Sequence, residues 1–267
     1  MDRKISVVIV GAAGKMGRET VMAIHHAPDL ELLGVADKIL VGEDLRKVIG
    51  EDAPPLILDN RLGQMLDATK PDVLIDFTHL SAAPEHALSA IKRGISPVIG
   101  TSGLSQQDVS AIRMDAEEAG VGAALIPNFA VGAVLMMRFA ELAAPWMPEV
   151  EIIEAHHKDK LDAPSGTALH TAERIQKVRE NAPSQNRQAV EKVQGARGAR
   201  YKEVQVHSVR LPGFVASQEV IFGGAGERLL LRHDSIDRAS FMEGVKIAVR
   251  KVRESKGLVI GLDKLML

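Results

Sequence analysis

Between Glu154 and Ala168 the chain reads Glu-Ala-His-His-Lys-Asp-Lys-Leu-Asp-Ala-Pro-Ser-Gly-Thr-Ala, which gathers two imidazoles, two ammonium groups and a Ser-Gly-Thr turn into fifteen positions. His156, His157 and Lys160 are side chains that can donate protons near neutral pH. Ser165, Gly166 and Thr167 have the residue types of a helix start, where backbone N–H groups without an intrahelical acceptor bind anions. Together they describe a site for an acidic small molecule that needs a proton. A solvated, charged loop closed by a helix cap has the same composition, so the remainder of the chain has to decide.

The second candidate for chemistry is near the start. Ile5-Ser-Val-Val-Ile-Val10 runs into Gly11-Ala-Ala-Gly14-Lys-Met-Gly17 and then into helix-compatible residues 18–26. Against the G-x-G-x-x-G dinucleotide template, Ala12, Gly14 and Gly17 fill the three glycine positions, Gly11 stands just before them, and Ala13, Lys15 and Met16 lie between. Gly14 lets the backbone approach a pyrophosphate, and Gly17 lets the helix sit close to the strand. A second apolar run, Leu30 to Ala36, ends in Asp37. An acidic residue about 20 positions beyond the glycines is where the adenosine ribose is held. Lys38 follows it and can compensate a 2′-phosphate.

The elements that must position these groups alternate in type. Short strands are expected at 56–58, 72–77, 97–99 and 122–126, with helices at about 81–93 and 105–119, which implies a parallel sheet covered on both faces. Ligands gather at the carboxyl ends of such strands. Those ends carry Phe77-Thr78, Gly100-Thr101-Ser102-Gly103 and Ile126-Pro127-Asn128-Phe129, read together as the rim of a cofactor site. Beyond Ala130 a helix to about 144, a strand at 149–155 and a helix at 167–179 precede strands at 203–209, 219–222 and 228–232. Consecutive strands without helices between them indicate a mixed or antiparallel sheet. The fold class is therefore α/β, a Rossmann-like dinucleotide-binding domain with a parallel sheet plus a second, α+β domain. The expected division is 1–129 with 238–267 for the first and 130–237 for the second. Asp237 is placed to cap a final helix over 238–254, whose Phe241, Val245, Ala248 and Val252 recur at core-facing spacing. The polar segment 181–202, with Arg187, Lys192, Arg197, Arg200 and Lys202, is read as a basic loop.

Composition removes whole classes of function. A net charge of −2 and 3% aromatic residues give no footprint for nucleic acid. With no cysteine in 267 residues, disulfides, thiolate ligands and cysteine nucleophiles are excluded, and a reducing, cytoplasmic compartment fits. From Ala119 to Met137 there are nineteen residues without a charge, but Pro127-Asn128 interrupts them. They are read as a strand, a loop and a helix from about Val131, not as a membrane span. Adjacent His156 and His157 with Asp159 and Asp162 lack a spacing that sets two imidazoles on one zinc ion, so no metal is expected.

These motifs carry a resemblance over nearly the full length. The turn from Gly11 to Gly17, Ile75-Asp-Phe-Thr78, Val98-Ile-Gly-Thr-Ser-Gly103, Asn128-Phe129-x-x-Gly132 and Glu151-Ile-Ile-Glu-Ala-His-His-x-x-Lys160-x-Asp-Ala-Pro-Ser-Gly-Thr-Ala168 resemble the 4-hydroxy-tetrahydrodipicolinate (dihydrodipicolinate) reductase family of lysine and diaminopimelate biosynthesis. The resemblance implies reduction of a cyclic, unsaturated dicarboxylate by NADH or NADPH with loss of water, in a homotetramer built through the second domain. It places the acid/base histidine at His156, the proton-donating lysine at Lys160, and substrate contacts at His157, Gly166 and Thr167. Cofactor contacts fall on Gly11 to Gly17, Asp37, Gly100 to Ser102 and Ile126 to Phe129. With cofactor and donors in different domains, a hinge closure that excludes water is expected. The chain departs from the family in having Ala216-Ser217-Gln218 where Gly-Glu-His is usual, and Lys38 at the usual arginine position.

Other readings fail on specific residues. A short-chain dehydrogenase needs Tyr-x-x-x-Lys, yet the single tyrosine, Tyr201, is followed four residues later by Gln205, and a semialdehyde dehydrogenase needs a cysteine. A nucleotide-sensing protein without catalysis would use the first domain and leave the cluster at 154–168 unexplained.

Overall fold

The computed structural model describes residues 3–101, 103–179 and 190–266. Ser102, expected on the cofactor rim, and Arg187 of the basic segment lie outside the described residues. The chain starts with β1 (Ile5–Val10), α1 (Lys15–His25), β2 (Leu30–Ala36), α2 (Leu45–Val48), β3 (Leu58–Asp59), α3 (Leu62–Thr69), β4 (Val73–Asp76), α4 (Ala83–Ile91), β5 (Ser96–Ile99), α5 (Gln106–Ala119) and β6 (Gly122–Leu125). It continues through α6 (Val131–Ala143), β7 (Glu149–His156), α7 (Gly166–Val178), β8 (Ala199–Tyr201), β9 (Val204–Arg210), β10 (Ala216–Gly224) and β11 (Glu227–Ser235). It closes with α8 (Met242–Lys251), β12 (Gly257–Ile260) and α9 (Asp263–Met266). Contacts group residues up to Phe129 with those from Phe241 onward, and Ala130–Ser240 form the other unit.

In the first unit all seven strands run parallel in the order β12-β6-β5-β4-β1-β2-β3. Strands buried on both faces read as continuous apolar runs; Val7, Val8, Ile9, Leu74 and Ile75 are accordingly fully buried. α4 and α5 set Ala83, Ala87, Ile91, Ile112 and Ala116 against Ile99, Leu125 and Leu258. Ser105 and Asp108 start α5 with a reciprocal capping box, and Gly120 ends it in the left-handed conformation. The strand order reverses between β1 and β4, which is where a sheet of this kind opens a ligand crevice. β12, α2 and α3 went unread in the sequence. β12 has four residues directly after a helical stretch, too few to announce a period. The expected final helix is instead a 3₁₀ turn at Arg238–Phe241, then α8, then another 3₁₀ turn at Val252–Glu254. Asp237 Oδ1 accepts the Ala239 N–H at 2.8 Å, and Val245, Ala248 and Val252 are fully buried while Phe241 is half-buried.

The second unit is a five-stranded sheet in the order β11-β10-β7-β9-β8, mixed because β7 and β9 are parallel and the other pairs antiparallel. Alternate residues Val150, Ile152, Val204, Val206, Val220 and Phe222 face Met136, Ala140, Ala172 and Ile175 of α6 and α7. On the opposite sheet face Ile153 and Ile221 are half-buried and Leu230 is exposed. The basic segment is not loop throughout, because residues 199–201 pair with β9 as β8. Tyr201 anchors that strand by donating to Glu173 at 2.7 Å. The uncharged run from Ala119 divides among the end of α5, β6 and α6, and among the described residues no helix is long and apolar enough to cross a membrane.

Candidate active site

β7 is the middle strand of its sheet, and its pleat sends Ile152 and Glu154 inward with His156 at its end. Glu154 is 0% exposed. His156 Nδ1 lies 2.6 Å from Glu154 Oε2. Arg210, opposite His156 at the end of β9, grips the same carboxylate with both amino groups, Nη1 to Oε2 at 2.9 Å and Nη2 to Oε1 at 2.8 Å. The Ser165 N–H adds a third N–H donor, to Oε1 at 3.2 Å. Burial opposes ionisation of Glu154, but the hydrogen bonds from His156, Arg210 and Ser208 outweigh it and hold its carboxyl down at about 2.

After β7 the chain turns, with the Lys160 N–H donating to the His157 carbonyl at 3.1 Å. Lys160 Nζ is clasped by Asp162 at 2.7 and 2.8 Å, and Arg210 Nη2 also donates to the Asp162 carbonyl at 2.7 Å. His157 is exposed. The Ser165 hydroxyl caps α7 by accepting the Ala168 N–H at 3.2 Å, which commits that buried side chain to the helix. Gly166 is the exposed first residue of α7, and a Cβ there would meet nothing within 4 Å. The turn therefore presents backbone and open space, as an anion requires.

In the first unit, Gly11 has φ +83° and a Cβ on it would strike the Phe77 carbonyl. A Cβ on Gly17 would collide with the Gly11 carbonyl oxygen, so α1 approaches β1 in a way that only glycine allows. Gly14 is the N-cap of α1 with no side-chain cap, and the first turn has no acidic residue. That end of the helix keeps its N–H groups and positive dipole for an external anion. It opens on a cavity of about 480 Å³ lined by Gly14 to Met16, Phe77 to Leu80, Gly100 and Thr101. The Phe77 and Phe129 rings meet edge to face at 5.5 Å, and a Cβ on Gly100 would overlap the Phe77 ring. Asp37 accepts the Ala13 N–H at 2.9 Å and the Ile39 N–H at 3.1 Å, which ties it to the glycine turn. Each oxygen keeps a lone pair for a ribose hydroxyl. Lys15 and Lys38 are exposed, whereas Ala12 and Ile126 are fully buried and support the rim from beneath. Pro127 is exposed, Asn128 half-buried and Phe129 buried. A dinucleotide fits these residues, because an uncapped helix start, a glycine cradle and an acidic strand end hydrogen-bonded to that cradle adjoin one another.

Three groups escaped the sequence reading. Glu154 and Arg210 build the histidine site, and Asp76 organises the cofactor rim. Asp76 is buried and accepts the Thr78 N–H at 2.8 Å, the Thr78 hydroxyl at 2.7 Å and the Thr101 hydroxyl at 3.4 Å, with His86 Nδ1 at 2.7 Å. An acidic residue inside an apolar strand, as both Glu154 and Asp76 are, was the available signal.

Family models described as dihydrodipicolinate reductase, N-terminus and C-terminus, match residues 5–129 and 132–266. The chain belongs to the dihydrodipicolinate reductase family. It is 48% identical over 266 residues to the 4-hydroxy-tetrahydrodipicolinate reductase of Syntrophomonas wolfei subsp. wolfei, with 100% of each chain covered. Identity to the Moorella thermoacetica enzyme of the same name is 47%, covering 100% of this chain and 99% of that one. A solved structure of dipicolinate-bound dihydrodipicolinate reductase from Paenisporosarcina sp. TG-14 is 42% identical, with a TM-score of 0.86 over 98% of this chain and 99% of that chain. As a member of this family the chain is a nicotinamide-dependent oxidoreductase.

Proposed function

We propose that this chain reduces 4-hydroxy-tetrahydrodipicolinate to tetrahydrodipicolinate, with loss of water, on the diaminopimelate route to lysine. The observation that carries this reading is His156 seated on buried Glu154 at 2.6 Å, with Lys160 and the exposed start of α7 following it in the same segment, in a member of the reductase family. NADH or NADPH, when bound, supplies the hydride. Addition of hydride to a conjugated C=C–C=N system leaves electron density at the far atoms, so a proton must reach them as it forms. His156 and Lys160 deliver that proton. Gly166 and Thr167 hold one substrate carboxylate at the helix start, and exposed His157 contacts the same acidic ligand. Gly11 to Gly17 receive the cofactor pyrophosphate and Asp37 its ribose, with Lys15 and Lys38 beside them. Phe77, Gly100, Thr101 and Ile126 to Phe129 form the rim on which the nicotinamide is oriented.

The outer face of the five-stranded sheet, with Ile153, Ile221 and Leu230 incompletely buried in one chain, supports a homotetramer assembled through the second unit. The compartment proposed for it is the cytoplasm, which the cysteine-free sequence fits. The test is to mix the purified protein with freshly made synthase product and follow nicotinamide absorbance. Consumption that needs both protein and synthase product is expected. No consumption with either cofactor would leave the nucleotide-sensing reading in its place.

A further inference from the structure

We infer that Glu154, clamped by Arg210 and the Ser165 backbone, is the positioning residue for the acid/base imidazole, fixing His156 with a proton on Nδ1 and Nε2 turned to the substrate. The inference rests on the proposed reduction and adds to it the group that readies His156. A carboxylate oxygen only accepts hydrogen bonds. Because three N–H donors from Arg210 and Ser165 already converge on this carboxylate, and its carboxyl is held down at about 2, it stays ionised across the neutral range. The imidazole nitrogen 2.6 Å from Oε2 must then be the donor, which assigns the Nδ1–H tautomer. Nε2 makes no hydrogen bond to any described residue.

Stability alone does not call for this arrangement. A buried ion pair is usually no more stabilising than apolar residues of the same volume, whereas an oriented carboxylate is what a reactive histidine requires. Arg210 has a second role in the same device. Its Nη2 reaches the Asp162 carbonyl at 2.7 Å, and the Asp162 carboxylate holds Lys160 Nζ at 2.7 Å. One guanidinium therefore supports both proton donors, from a strand 56 positions away from Glu154 in sequence.

Two measurements test this. In ¹⁵N-labelled wild-type protein, with the His156 signals assigned by their loss in His156→Gln, long-range ¹H–¹⁵N correlation should show Nδ1 protonated at neutral pH. An unprotonated Nδ1 overturns the inference. Glu154→Gln keeps the size and a carbonyl for Arg210, but turns an amide N–H toward the imidazole. It should lower kcat by about 100-fold, leave substrate KM within about threefold and cofactor affinity unchanged, and move the His156 proton to Nε2. Wild-type kcat in a Glu154→Gln protein that binds cofactor normally overturns the inference. If that variant fails to fold, the tautomer of the native protein decides alone. Failure of the parent reading looks different, since wild-type protein would then show no turnover and the inference would fall with it.

Discussion

At the scale of single residues, the site works by giving like groups different surroundings. His156 and His157 are adjacent, but only His156 meets a buried carboxylate, while His157 points into solvent. The electrostatics of Glu154 make a stability prediction with a definite sign. Its carboxyl is held at about 2 in the folded chain against an ordinary 4.5, so its contribution is complete above about pH 4.5 and is lost as pH falls toward 2. That contribution is on the order of 3 kcal/mol. Acid unfolding of Glu154→Gln should accordingly be flatter over this window than that of the wild type, and parallel curves would contradict the assignment. A second residue-scale prediction concerns the helix start. Thr167→Val removes a hydroxyl and keeps the shape, so calorimetry with pyridine-2,6-dicarboxylate should show weaker binding while cofactor affinity holds. Unchanged affinity for the dicarboxylate would remove Thr167 from the anion site.

At the scale of elements, what was legible depended on how local the signal was. The strand-glycine-helix entry showed itself because Ile5–Val10, the glycines and Asp37 lie within one short stretch of sequence, and Ser165 announced α7 through its cap. Arg210 was illegible for the opposite reason, since its partner lies 56 positions upstream and no pattern within β9 marks it. β8 was hidden in the basic segment because a three-residue strand among Arg, Gly and Lys has neither length nor alternation. The end of β2 carries the prediction on cofactor choice. Asp37 favours the ribose hydroxyls of NADH, and exposed Lys38 and Lys15 offset its repulsion of a 2′-phosphate. Arg18 adds little to that balance, because its guanidinium is committed to the carbonyls of Ala13 and Val48 at 2.8 Å each. Both cofactors should therefore support turnover, with NADH modestly preferred, by no more than roughly tenfold to thirtyfold, and Lys38→Ala should selectively weaken NADPH. A preference for NADPH above about a hundredfold would show that Asp37 does not govern the choice.

At the scale of the whole molecule, the residues assigned to the cofactor fall in the first unit and the proton donors in the second. Each unit is complete in its own chemistry, one holding a glycine cradle and an uncapped helix start, the other a buried carboxylate, an imidazole and a lysine. This separation makes the central claim testable, because loss of the donors should abolish chemistry without touching cofactor binding. The direct measurement is the steady-state rate of synthase-product reduction by wild type, His156→Ala and Lys160→Ala, with NADH affinity measured for each. The account predicts that each variant binds NADH as the wild type does and turns over slower by about 100-fold or more, the usual contribution of a placed proton donor. Near-normal turnover in both variants would contradict it.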